Sequence, residues 1–197
     1  NRISWASGPQ LWAPEIHKVG GRYAVYFSAS TEQCLFEGRK RESPCNFSIG
    51  VAFSDSIGGS FGSAKELKKG SRPGLIDAHF FQSSDGTNYL LWKVDGNNVR
   101  AGGDGNTPIK IQQLNATGDE LVGSERTLLI NTSESAPEWE KKLIEAPWLV
   151  EHEGMFYLFY SAGYYGDESY KVGVARASSL HDCFENEQSP GEECFER

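Results

Sequence analysis

Three stretches of this chain superpose without a gap: Ala13 to Ser28, Ala78 to Lys93 and Ala146 to Ser161, at offsets of 65 and 68 residues. A period of that length, filled with short apolar runs and glycine turns, restricts the fold more than any composition could. Gly21, Gly86 and Gly154 coincide as the turn, and each is followed by an aromatic run: Tyr23 to Phe27, Tyr89 to Trp92 and Phe156 to Tyr160. Each copy reads as strand, polar turn, strand, the pattern of a β-hairpin. A third strand follows where Ile49, Gly50, Val51 and Ala52 match Val172, Gly173, Val174 and Ala175 at an offset of 123, with Ile109 to Leu114 in the same place in the middle copy. Short outer strands are expected at Glu66 to Lys68 and Thr127 to Ile130, and Glu138 to Lys142 is expected to form one helical turn.

Four antiparallel strands at a fixed period describe an all-β fold of the β-propeller type. The expected blades run over about residues 12–68, 76–130 and 144–180, with a tail at 181–197. Three blades are fewer than a closed propeller needs, so the 197 residues are read as one partial propeller domain. An open arc of blades would expose two sheet faces, and the partner expected for them is the missing blades of the same protein.

The residue before the shared alanine carries the chemistry. It is Trp12, Asp77 and Glu145 in the three copies. Inner strands of a propeller line a common channel, so equivalent positions far apart in sequence converge there. Two carboxyl groups beside an aromatic wall are what glycoside cleavage uses: an acid protonates the leaving oxygen and another carboxylate acts on the opposite face. Leu75, Ile76, Leu143 and Ile144 should desolvate both acids, which favours their protonated forms.

Trp12-Ala13-Pro14-Glu15, Ile76-Asp77-Ala78-His79-Phe80 and Ile144-Glu145-Ala146-Pro147-Trp148 resemble successive blade motifs of glycoside hydrolase family 43. The resemblance implies a five-bladed propeller, of which this chain holds about three four-stranded blades, and inverting hydrolysis of α-L-arabinofuranosides or β-xylosides in plant polysaccharides such as arabinan and arabinoxylan. It implies Glu145 as general acid, Asp77 as the carboxylate that tunes and orients it, and Trp12 as a wall of the subsite for the cleaved sugar. His79 joins the substrate-binding set, although packing or support from behind is preferred for it over contact with the substrate. The runs Gly102 to Leu114 and Tyr164 to Tyr170 are most similar to the exo-acting arabinofuranosidase branch. The family's general base is an aspartate on the preceding blade; Asn1 to Leu11 contain none, so the base is expected outside this chain. A non-catalytic, carbohydrate-binding propeller is the alternative.

Charge and cysteines set the surroundings. With 19 basic and 27 acidic side chains the net charge is −8, which argues against nucleic acid as a partner. No apolar run approaches the roughly 20 residues of a membrane span, so no membrane is expected. The two cysteine pairs, Cys34 with Cys45 and Cys183 with Cys194, each lie 11 residues apart; two local disulfides are the simplest of three connectivities. With sequons at Asn46, Asn115 and Asn131 in segments that read as loops, they point to an extracellular, secreted protein. No cofactor or metal is expected: the cysteines lack CxxC spacing, and His17, His79, His152 and His181 lack metal-protease spacing. Asp85, Asp95 and Asp104 precede glycines and read as turn formers rather than calcium ligands. The GxSxG match at Gly58 to Gly62 lacks a strand-to-helix elbow and is read as chance. Arg39 to Arg41 read as a solvated loop, or else a processing site.

Overall fold

The computed structural model describes residues 3–8, 10–37, 40–41, 45–185 and 192–197. Its strands form three antiparallel sheets in chain order. The first joins β1 (Leu11–Val19), β2 (Arg22–Ser30), β5 (Phe47–Ser54) and β6 (Lys65–Lys68); between β2 and β5 lie the short pair β3 (Phe36–Glu37) and β4 (Lys40–Arg41). The second joins β7 (Leu75–Gln82), β8 (Asn88–Val94), β9 (Ile109–Leu114) and β10 (Leu121–Leu129), and the third β11 (Ile144–His152), β12 (Met155–Ala162) and β13 (Lys171–Ala177). Three successive antiparallel sheets agree with the expected all-β architecture, but the last has three strands rather than four. In place of a fourth, Glu196 forms a two-way bridge with Arg176 on β13, while Cys194 and Phe195 donate to the carbonyls of Thr127 and Leu128 on β10. The tail thus ties the second blade to the third. The expected turn at Glu138 is a single 3₁₀ turn, Glu138–Glu140, and the one α-helix among the described residues, α1 (His181–Glu185), has five residues. Arg39 lies outside the described residues, as do residues 186–191 of the tail.

The apolar run of β8 shows how the blades stack. Successive side chains of a strand point to opposite faces, and here Leu90 and Trp92 enter a core shared with Val19, Tyr26, Ile49 and Val51 of the first blade. Tyr89 and Leu91 enter the other core, with Ile144, Leu149, Leu158 and Tyr160 of the third. The middle blade is therefore buried on both faces, which is why its strands read as continuous apolar runs. The third blade is buried on one face: Trp148, Phe159 and Val174 form a cross-strand row on the other, exposed by 50%, 39% and 46%.

Glycine in the third-strand motif has a packing cause. Gly50 pairs with Phe27, and Gly173 with Tyr160. A Cβ at Gly50 would come within 2.7 Å of the Phe27 ring, and one at Gly173 within 2.5 Å of the Tyr160 ring. In both blades the missing side chain lets an aromatic ring lie across the neighbouring strand.

Both disulfides form between the near pairs, Cys34–Cys45 and Cys183–Cys194. Two of the three sequons prove inaccessible: Asn46 and Asn131 are buried, and their amides donate to the carbonyls of Gly70 and of Gly105 and Lys141. Asn115 is half-buried in the β9–β10 turn and bonded to Asp119. Asp85 and Asp104 behave as turn formers, accepting from the amides of Thr87 and Asn106.

Candidate active site

Each inner strand carries a β-bulge near its start. The ladder shifts between Trp12 and Glu15 in β1, between Ile76 and His79 in β7, and between Glu145 and Trp148 in β11. In each bulge one residue adopts a left-handed backbone: Ala13 (φ 43°), Asp77 (φ 58°) and Ala146 (φ 52°). Such conformations in non-glycine residues cost on the order of 1–3 kcal/mol each, and bulges of this kind re-aim side chains beside functional sites.

The bulges correct the repeat frame. Trp12 pairs with Ser28, Ile76 with Lys93 and Glu145 with Ser161, so the middle hairpin carries one residue more between its paired ends. Trp12, Ile76 and Glu145 therefore occupy one blade position, and Asp77 occupies the next, with Ala13 and Ala146. The two acids still meet. Asp77 Oδ2 accepts the backbone N–H of Ala146, the residue after Glu145, at 3.0 Å.

The acids sit in different surroundings. Burial pushes the Asp77 carboxyl up to about 6 from its ordinary 3.8; the negative charges of Glu145 and Asp95 add to this, against the pull of Lys93 and the Ala146 amide. Glu145 is gripped from two sides. Its Oε2 lies 3.0 Å from the ammonium of Lys93, and its Oε1 accepts the hydroxyl of Tyr170 at 2.7 Å. Lys93 has no exposed surface and also donates to Asn97 Oδ1 at 2.7 Å. Carboxylates beside it raise Tyr170 well above the usual tyrosine range, after burial, the larger cause. Sequence reasoning named neither Lys93 nor Tyr170 as a site residue. The available signal was parity: Lys93 follows Tyr89 and Leu91 on the face of β8 that turns toward the third blade.

Trp12 stacks on Phe47 with ring centroids 4.2 Å apart, against the Cys34–Cys45 disulfide and Ile76. One face of its ring is thus used in packing. His79 departs further from the substrate-binding reading, because it is 2% exposed and both ring nitrogens are engaged within the protein. Nδ1 lies 2.9 Å from Glu15 Oε2, and Nε2 accepts the backbone N–H of Leu149 at 3.0 Å. Since Nε2 is the acceptor, Nδ1 carries the ring proton and donates to Glu15. His79 also packs on the Trp148 ring, centroids 4.6 Å apart. Glu15, His79 and Trp148, the residues that resume the ladder after each bulge, thereby link the three blades.

Glu15 joins His17 as well, at 2.9 Å, so one oxygen and two imidazole nitrogens lie within 4.8 Å of one another. A metal ion there would need the Nδ1 lone pair of His79 and would move its proton to Nε2, facing the Leu149 N–H donor to donor. The cluster fits a hydrogen-bond relay better than a cation site. Burial pushes the Glu15 carboxyl up, but the bonds and charges of His17 and His79 outweigh it and hold the group below its usual value.

The family model of glycosyl hydrolases family 43 matches residues 1–191. Xylosidase/arabinosidase 43A of Humicola insolens is 28% identical over 187 residues, covering 82% of this chain and 53% of that protein. An extracellular exo-α-(1→5)-L-arabinofuranosidase of Streptomyces chartreusis is 27% identical, covering 90% and 52%. Among solved structures, a thermostable family-43 glycoside hydrolase superposes with a TM-score of 0.66 at 25% identity, covering 86% of this chain and 51% of that one. An α-L-arabinofuranosidase from Lactobacillus brevis shares the fold with a TM-score of 0.65. The chain spans about half the length of the curated relatives it matches. Matched by that family model over residues 1–191 and built of antiparallel blade sheets, the chain belongs to glycoside hydrolase family 43.

Proposed function

We propose that this chain is the central part of a secreted glycosidase that hydrolyses arabinose- or xylose-containing plant polysaccharide with inversion. The observation that carries the reading is the bulge pair: two strands from adjacent blades turn Asp77 and Glu145 onto one site, joined through the Ala146 amide. Glu145 protonates the leaving oxygen. Asp77 fixes the turn that presents Glu145, and Trp12 contributes a wall for the cleaved sugar. A water attacks from the opposite face, activated by a carboxylate base supplied from outside this stretch. Relatives named xylosidase/arabinosidase and exo-α-(1→5)-L-arabinofuranosidase support the substrate class. The extracellular name of the Streptomyces relative and the two disulfides support secretion. No helix among the described residues is long and apolar enough to cross a membrane.

One observation favours the second reading, a non-catalytic sugar-binding propeller: both oxygens of Glu145 already accept hydrogen bonds, from Lys93 and Tyr170. Glu145→Gln in the complete natural protein separates the two. If Glu145 is the acid, turnover falls by about 100-fold or more on natural glycosides and far less on an aryl glycoside whose leaving group needs no proton. Equal losses on both substrates would remove the acid role, and a complete protein that binds these sugars without cleaving any would establish the second reading.

A further inference from the structure

The loop 163–170, which joins β12 to β13, is placed beside the acid. It leaves the end of β12 that pairs with the start of β11, where Glu145 lies, and its last residue, Tyr170, donates to Glu145 Oε1. Its first residue, Gly163, donates to the carbonyl of Leu143, two residues before Glu145. Between these anchors Tyr164 and Tyr165 hold their rings side by side, centroids 4.8 Å apart, and remain 43% and 46% exposed.

The loop is built to keep those rings in place. Asp167 N–H donates to the Tyr164 carbonyl, Ser169 N–H to Asp167 Oδ1, and Tyr164 N–H to Ser169 Oγ, closing a compact turn. Gly163 adopts φ 96°, and a Cβ on Gly166 would lie 2.5 Å from Cε1 of the Tyr164 ring, so a glycine seats that ring. The Lys142 ammonium stands 5.7 Å from the ring centroid and pairs with Asp167 at 3.6 Å.

We propose that Tyr164 and Tyr165 form a binding subsite for the sugar unit on the leaving-group side of the scissile bond. The inference deepens the glycosidase reading and rests on it for the identity of the site. An acid stands on the side of the oxygen it protonates, so a platform anchored to Glu145 faces the unit that departs with that oxygen. Exposed tyrosine rings offer flat apolar faces to the C–H face of a sugar and hydroxyls to its polar edge, and Asp167 and Lys142 add a charged rim for its hydroxyl groups. The ligand class is a neutral pentose oligosaccharide.

The test uses the complete natural protein carrying Glu145→Gln, titrated calorimetrically with arabino- and xylo-oligosaccharides of three to five units. With Tyr164→Ala or Tyr165→Ala added, affinity for the series that binds falls about tenfold, the size of one aromatic contact. Tyr164→Phe and Tyr165→Phe keep the rings and retain affinity within about threefold, and an unchanged thermal melt of the alanine variants excludes a folding defect as the cause. Unchanged affinity in both alanine variants, or no binding of either series by the parent, would overturn the proposal. Tyrosine-dependent binding with no hydrolysis by the protein that retains Glu145 would refute the catalytic reading and leave the two tyrosines as a sugar platform without a leaving-group side. Hydrolysis and binding that ignore both tyrosines would do the reverse.

Discussion

Asp77→Asn is expected to make the protein more stable near neutral pH while impairing the site. In the folded chain the carboxyl is lifted from 3.8 to about 6, mainly by burial and then by Glu145 and Asp95, so at pH 7 folding holds a charge where it is disfavoured. That lift corresponds to about 3 kcal/mol. The sign follows from proton binding. Below pH 3.8 both folded and unfolded chains carry the proton and no penalty exists. Between 3.8 and about 6 the folded chain keeps a proton that the unfolded chain has released, so stability falls as pH rises; above about 6 the loss is complete. Asparagine removes the charge, and its Oδ1 can still accept the Ala146 amide. Urea unfolding followed by the fluorescence of the five tryptophans should therefore show a gain near zero at about pH 3.5, growing to at most about 3 kcal/mol at pH 7 to 8, with Tm rising by up to about 10 °C. A gain that does not depend on pH, or a variant less stable than the parent at pH 7, would refute this account of Asp77.

Three further perturbations test other parts of the structure. Lys93→Met removes the buried ammonium that faces the partly buried Glu145 carboxylate and should cost about 3 kcal/mol at pH 7, part of which Glu145→Gln in the same chain restores; a double-mutant cycle with no coupling would show that the pair does not interact. Glu15→Gln should cost about 1–3 kcal/mol at neutral pH. Because the Glu15 carboxyl is held low in the fold, that cost should fade as pH falls through the titration of the folded group, and thermal melts across pH 3 to 7 would expose a wrong sign. Replacing Cys183 and Cys194 together by alanine should cost about 3 kcal/mol and loosen the tail, read as faster amide hydrogen exchange at Arg176 and Glu196; unchanged exchange there would mean that the disulfide does not hold the strap.

Much of the fold was legible because propeller blades repeat one pattern. The glycine turns, the aromatic second strands and the GVA third strands recur since each blade solves the same packing problem, and Gly50 and Gly173 make room for Phe27 and Tyr160 in the same way. The tail was not legible. Its contribution at Glu196 is two backbone bonds to Arg176, which leave no side-chain pattern. The partners of His79 were not legible either, because sequence gives its type and strand but not the two groups that occupy its nitrogens.

The sequence by itself determined the all-β blade architecture and marked Asp77 and Glu145 as candidates, because these depend on periodicity and motif; it left three disulfide connectivities, of which the fold selects the two local pairs. The tertiary structure decided their register and their surroundings. Asp77 stands one blade position away from Glu145 because the middle hairpin carries an extra residue and each strand bulges. Only the stacking of one blade on the next brings the Lys93 ammonium, the Tyr170 hydroxyl and the Ala146 amide to the carboxyl groups. The electrostatics that separate one acid from the other are set by those contacts across blades, which no linear spacing encodes.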